Sequence, residues 1–300
     1  MNKVGFIGVG IMGKSMVRNL MKAGFELHIY ARTKSKVEDV IGEGAQFHES
    51  IKDCVQDCDA VITIVGFPQD VEEVYFDGEN ILDSAKKGAY LIDMTTTSPQ
   101  IAEKIYEEGT KRGFHVMDAP VTGGDTGAKA GTLSILVGGE KEDYEACMPL
   151  FEAMGTNINY QGKAGCGQHC KLANQIMIAG TLSGVCEALT YAKEQGLDPE
   201  VFMKSVATGA AGSKQLDTFG PKILKDDYAP GFFMKHFIKD MKLALIEANR
   251  KGLSLDVLSM VLANYEELEQ EGYGDLGTQA LMKFYDEEHR NTEEVKICER

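Results

Sequence analysis

The chain has no apolar run long enough to cross a bilayer: its purely apolar runs are strand-sized, where a spanning helix needs roughly 20 consecutive apolar residues. A signal-peptide layout is missing too, because Met-Asn-Lys-Val-Gly-Phe-Ile-Gly enters a strand almost at once. Positive charge is scarce. Lys and Arg number 31 against 46 Asp and Glu, a net charge of −15, which argues against nucleic acid and membrane surfaces as partners. A small anionic substrate remains admissible, since a local site can be positive on an acidic molecule. The seven cysteines are an odd set without a disulfide-framework spacing, so they are read as reduced thiols in a cytoplasmic protein. Cys166 and Cys170, with His169 between them, supply too few ligands for structural zinc, which wants four, and no second Cys or His pair follows nearby. No metal is expected. Repeats and low-complexity segments are also missing.

What is present begins with a βαβ pattern. Residues 3–8 form an apolar run that ends in Gly8-Val-Gly-Ile-Met-Gly13; residues 12–22 show helical spacing closed by Gly24, and residues 25–31 are β-rich. Strand, glycine turn, helix and strand within about thirty residues make the context that a G-x-G-x-x-G turn needs. Gly8 suits the tight turn, Gly10 the close approach of a pyrophosphate, and Gly13 the packing of helix on strand. The helix N-terminus then offers free N–H groups to phosphates. Ile11 and Met12 inside the turn, and Val65 at the end of the continuous apolar strand 59–65, belong to the same cofactor side.

The end of the second strand chooses the cofactor. NAD binders usually place an acid there for the ribose hydroxyls, but the chain reads Ala31-Arg32-Thr33-Lys34-Ser35-Lys36, with no acid before Glu38. Arg32 presents a planar fork to a 2′-phosphate, Thr33 a hydroxyl, and Lys36 further charge. NADP(H) is therefore expected to be preferred, with NAD(H) possible.

The alternation goes on: strands at 45–48, 90–94, 114–118, 133–137 and 157–161, helices at 50–57 and 140–154, and helix starts at Pro68 and Pro99. Thr95-Thr96-Thr97-Ser98 stands at a strand's C-terminal end, where open α/β sheets line their ligand crevice. Between residues 118 and 131 runs a glycine-rich loop. There Thr122 adds a hydroxyl to consecutive backbone N–H groups at Gly123 and Gly124, a nest that would hold a carboxylate. After Gly162 the remainder reads as helix, at about 198–207, 214–224, 233–251 and 254–271, with a charged tail from Asp286 expected to fray. The expected architecture is an α/β Rossmann-like domain over residues 1–163 and an all-α domain over 164–300, joined by a long interdomain helix.

That helix opens at Gly165-Cys-Gly-Gln-His-Cys-Lys-Leu-Ala-Asn-Gln175 and runs to about Glu194, with Gly196 as its cap. Lys171, Asn174 and Gln175 stand at i, i+3 and i+4 and share one face. By itself this would suit a solvated lysine on an amphipathic helix. Farther on, Lys239-Asp-Met-Lys242 puts two lysines at i and i+3.

These motifs, in this order and over nearly the whole chain, resemble the β-hydroxyacid dehydrogenases, the group of 3-hydroxyisobutyrate dehydrogenase, tartronate semialdehyde reductase and glyoxylate/succinic semialdehyde reductases. The resemblance rests on Gly8-Val-Gly-Ile-Met-Gly13, Asp118-Ala-Pro-Val-Thr-Gly-Gly124, Gly165-Cys-Gly-Gln-His-Cys-Lys171 with Asn174, and Lys239-Asp240. It implies an oxidoreductase moving a hydride between NADP(H) and a short 3-hydroxy acid or semialdehyde, assembled as a homodimer or homotetramer. It further implies Lys171 and Asn174 as catalytic residues, Thr122, Gly123, Gly124 and Gln175 against a small carboxylate-bearing substrate, and Thr96 and Lys239 beside the cofactor. Two departures stand out: the family usually has serine where this chain has Thr122, and often a second asparagine where it has Gln175. Competing readings are a 6-phosphogluconate dehydrogenase-like enzyme, whose helical region is much longer; an imine reductase, which typically lacks the lysine; and a non-catalytic NADP(H)-binding sensor.

Overall fold

Strands such as Val4-Gly-Phe-Ile7 have almost nothing polar to offer water on either face, so they are buried in a parallel sheet. The computed structural model describes residues 1–285. Its strands are β1 (Lys3–Ile7), β2 (Glu26–Tyr30), β3 (Gln46–His48), β4 (Ala60–Thr63), β5 (Tyr90–Asp93), β6 (His115–Asp118), β7 (Val121–Thr122), β8 (Leu133–Gly139) and β9 (Gly155–Gly162). They lie in the order β3-β2-β1-β4-β5-β6-β8-β7, with β9 beside β8. Strands β1 to β6 pair in parallel, while β8 runs antiparallel to β6 and β7 and parallel to β9. Chain order reverses between β1 and β4, the place where an open sheet of this kind takes its ligand.

Alternate strand residues feed two cores. Val4, Phe6, Ile29, Ile62 and Ile92 meet Met16, Val17 and Leu20 of helix Ile11–Lys22 on one face. Ile7, Val61, Leu91 and Val116 meet Val71, Tyr75 and Ile105 on the other. The period of two follows from the pleat.

The first compact unit is Met1–Lys171 and the second begins at Leu172. Helix Cys166–Glu194 therefore starts in the first and continues in the second, ending before Gly196 at φ +72°. By overall length and apolar content it is, among the described residues, the one helix that resembles a spanning segment, although polar residues interrupt it throughout. Its apolar side is accounted for otherwise: Leu172, Ala179, Leu182, Cys186 and Leu189 enter the core of the second unit. Phe237 and Met241 of helix Met234–Arg250, Val261 and Tyr265 of helix Asp256–Leu268, and Leu281 complete that core. Asp198 and Ser213 cap the intervening helices Pro199–Ala207 and Lys214–Ile223 through side-chain oxygens.

Several expectations change. The helix expected over 140–154 is two, Lys141–Ala146 and Met148–Met154, because Pro149 can neither donate to nor fit against a continuing helix. The glycine loop is more regular than expected: Val121–Thr122 pairs with β8, and Gly124–Ala130 is a short helix. The helix expected over 254–271 ends at Leu268, followed by a π-type turn in which Gly272 has φ +94°. The first turn of the long helix is bonded to the sheet domain, so the first compact unit runs as far as Lys171. The tail from Asp286 lies outside the described residues.

Candidate active site

At the carboxyl end of β1 the three turn glycines have separate steric reasons. Gly8 has φ +97°, and a Cβ there would sit 2.1 Å from the Ile64 carbonyl oxygen. A Cβ on Gly13 would sit 2.2 Å from the Gly8 carbonyl oxygen. At Gly10 a Cβ would meet nothing within 4 Å, and this residue starts helix Ile11–Lys22 with no side-chain cap. The first-turn N–H groups of Ile11, Met12 and Gly13 have no carbonyl partner inside the helix, and Gly10 just ahead of them borders open space. The turn thus fits a dinucleotide pyrophosphate: two glycines are closed off by protein, and the third is open. Val65 lies against Gly8.

Past β2, Arg32 is exposed and gives Nη2 to Asp70 Oδ1 at 2.8 Å. The other Asp70 oxygen accepts from the Phe67 N–H at 2.9 Å. A surface pair of this kind contributes only about 0–1 kcal/mol, so the guanidinium can be exchanged onto a phosphate. Thr33 starts the short turn Lys34–Lys36, in which Lys36 is exposed.

Polar side chains at the ends of β4, β5 and β6 are buried, and those of β4 and β5 are bonded to one another. Thr63 Oγ1 donates to Asp93 Oδ1 at 2.7 Å, the Thr95 N–H donates to the same oxygen at 3.2 Å, and the Val65 N–H donates to Thr95 Oγ1 at 3.0 Å. Burial pushes the Asp93 carboxyl up to about 6 against the opposing pull of the Thr63 and Thr95 bonds. Asp118 stands in register with Asp93 on the next strand. Its oxygens accept from the Gly165 N–H and the Gln168 N–H, both at 2.8 Å, which anchors the start of the long helix. Burial also raises the Asp118 carboxyl, and those two N–H bonds oppose the rise. The anchor explains two more glycines: a Cβ on Gly138 would lie 2.5 Å from Asp118 Oδ1, and one on Gly167 would lie 2.4 Å from the Leu136 carbonyl oxygen. One turn after Gln168 comes Lys171, 7% exposed.

Thr122 ends β7, and Gly123 (φ +130°) and Gly124 (φ +64°) follow with backbone that favours glycine. In the second unit Asn174 Nδ2 donates to Gln175 Oε1 at 2.8 Å, and Gln175 Nε2 donates to Asp240 Oδ2 at 2.7 Å. Lys239 Nζ pairs with Asp240 Oδ1 at 3.0 Å. Gln175, expected to bind substrate, is 1% exposed and spends both ends of its amide on protein partners; the extra methylene gives it the reach to Asp240. Of the two lysines at i and i+3, Lys239 is half-buried while Lys242 pairs at the surface with Glu266 at 2.7 Å.

The structure thus gathers Gly8, Gly10, Gly13, Val65 and Thr96 around the ends of β1, β4 and β5, and joins Asn174, Gln175 and Lys239 through Asp240. Asp93 was not singled out from the sequence, and Asp118, Gln168 and Asp240, though inside the quoted motifs, were not given the roles they take. The one signal for Asp93 and Asp118 is an acid closing a short apolar strand, where a buried carboxylate needs a defined partner.

Comparison with known proteins finds two family models that meet between residues 162 and 165. Residues 3–162 match the NAD binding domain of 6-phosphogluconate dehydrogenase, and residues 165–285 match the NAD-binding model of NADP-dependent 3-hydroxyisobutyrate dehydrogenase. The chain is 49% identical over 282 residues to YkwC, an uncharacterized oxidoreductase of Bacillus subtilis, covering 94% of this chain and 98% of that one. To the probable mitochondrial 3-hydroxyisobutyrate dehydrogenase-like 1 of Arabidopsis thaliana it is 44% identical over 281 residues, covering 93% and 84%. The solved structure of Mycobacterium tuberculosis 3-hydroxyisobutyrate dehydrogenase with L-serine matches with a TM-score of 0.86 at 26% identity, covering 94% and 98%.

Proposed function

The chain belongs to the β-hydroxyacid dehydrogenase family as a NAD(P)-dependent dehydrogenase or reductase, and from that premise we propose that it interconverts a short 3-hydroxy acid and its semialdehyde, prefers NADP(H), and uses Lys171 as general acid and base. The observation that carries this reading is the pairing, inside one compact unit, of a glycine turn left open at Gly10 with a buried lysine.

Gly8, Gly10 and Gly13, with the N–H groups of Ile11, Met12 and Gly13, would hold the pyrophosphate, and Arg32, Thr33 and Lys36 the 2′-phosphate. When bound, the nicotinamide supplies a hydride to the substrate carbon or takes one from it. Lys171 gives a proton to the carbonyl oxygen in reduction and takes it back in oxidation. Its ammonium also stabilises the alkoxide as charge develops there. Asn174, one helical turn on, orients the carbonyl, while Thr122, Gly123 and Gly124 hold the substrate carboxylate at the far end.

The test is cofactor turnover with a panel of short semialdehydes, glyoxylate and 3-hydroxy acids, each run with NADPH and NADH. Turnover of a carboxylate-bearing member, with a higher kcat/KM for NADPH, is expected. A silent panel with intact cofactor binding would favour the sensor reading instead.

A further inference from the structure

Gln168 has no part in the chemistry just described, yet its amide is 0% exposed and bonded at both ends. Its Oε1 accepts from the Thr97 N–H at 3.0 Å, and its Nε2 donates to the Thr95 carbonyl oxygen at 2.7 Å. A backbone N–H can only donate and a carbonyl only accept, so the amide has one orientation. Thr95 and Thr97 are themselves buried, at 1% and 0% exposure, whereas Thr96 between them is half-buried. The side chain therefore grips the backbone on both sides of Thr96. The Gln168 backbone N–H is held in turn by Asp118 Oδ2, and Lys171 follows one helical turn later.

We propose that Gln168 is a positioning residue that sets Thr96, beside the cofactor, in register with the helix turn carrying Lys171. The inference rests on the proposed reading only for the roles of Thr96 and Lys171; the grip itself lies wholly within the first compact unit. A free 95–97 loop would shift the cofactor against the proton donor, and a displacement of roughly 1 Å can cost about a hundredfold in rate without loss of binding.

The test compares Gln168→Met, which removes both bonds, with Gln168→Glu, which keeps length and shape. In the glutamate variant a carboxylate oxygen opposes the Thr95 carbonyl, and protonation restores a donor there. Gln168→Met should lose roughly a hundredfold in kcat, with the KM for NADPH little changed. Amide exchange at Thr97 should speed up about tenfold. Relative to wild type, Gln168→Glu should regain turnover as the pH falls, and Gln168→Met should not. Wild-type kcat in Gln168→Met, or unchanged Thr97 protection in both variants, would overturn the proposal. Should the methionine variant fail to fold, a pH-independent kcat ratio for Gln168→Glu would overturn it, and a rising ratio would support it. If the wild type turns over nothing in the panel, the functional reading fails on its own, and Thr97 exchange decides the grip.

Discussion

Gln175 Nε2 donates to Asp240 Oδ2 across 2.7 Å, tying helix Cys166–Glu194 to helix Met234–Arg250 inside the second unit. A carboxylate only accepts, so the Gln175 amide has to donate toward Asp240 and accept from Asn174. The polarity of the chain of bonds fixes which end of Asn174 is used internally. Gln175→Leu should cost about 2 kcal/mol, the range for a bond to a charged group, with the buried Asp240 left under-satisfied. Urea unfolding measures this. The same variant should raise the KM for the carbonyl substrate more than that for NADPH, because the hold on Asn174 is lost while the Lys239–Asp240 pair is kept.

The glycine turn allows a sharper contrast. Gly10 has φ −86°, which any residue adopts, and a Cβ there meets no protein atom within 4 Å. Gly10→Ala should therefore melt like the wild type, yet weaken NADPH binding by about tenfold or more as the methyl enters the pyrophosphate's place. Gly13→Ala, with its Cβ 2.2 Å from the Gly8 carbonyl oxygen, should be destabilised before cofactor enters the question. Thermal melts with and without NADPH separate the two.

Cofactor choice turns on Arg32. Its exposed guanidinium is held, among the described residues, by Asp70, so Arg32→Ala should lower kcat/KM for NADPH about ten- to a hundredfold, the worth of a charge-assisted contact. The value for NADH should barely move. Steady-state kinetics with both cofactors checks it; equal losses for the two would remove Arg32 from the 2′-phosphate.

Asp93 makes stability depend on pH in an unusual direction for a carboxylate. Burial raises the folded-state value to about 6, above the roughly 3.9 of an unfolded chain. Between those values the folded state binds more protons, so its contribution is complete below about pH 4 and is lost as the pH rises through 6. The shift corresponds to about 3 kcal/mol. Asp93→Asn, which has no proton to lose, should gain on the wild type as the pH is raised from 5 to 8 in unfolding experiments. A pH-independent difference would contradict the assignment.

Fold class and cofactor turn were legible because they rest on local chemistry. The continuous apolar run at residues 59–65 read as a buried strand, and Gly8, Gly10 and Gly13 stood where a βαβ unit needs them. The supporting polar residues were not legible, since their meaning depends on partners far away in sequence. Asp118 meets Gly165 and Gln168 some 47 and 50 residues on, and Gln175 meets Asp240 at a separation of 65. The same limit hid the helix at Gly124–Ala130: its glycines read as a loop, while pairing of Val121–Thr122 with β8 fixes where the chain turns. Pro149 was visible, but not its consequence, because a proline early in one helix and a proline breaking a longer one leave the same sequence.

Lys171→Ala tests the central claim most directly, measured as kcat on the best carboxylate-bearing substrate of the panel alongside NADPH affinity by fluorescence titration. With the proton donor removed, kcat should fall roughly a hundredfold or more, while NADPH binds as it does to the wild type. Turnover close to the wild-type rate would contradict the account.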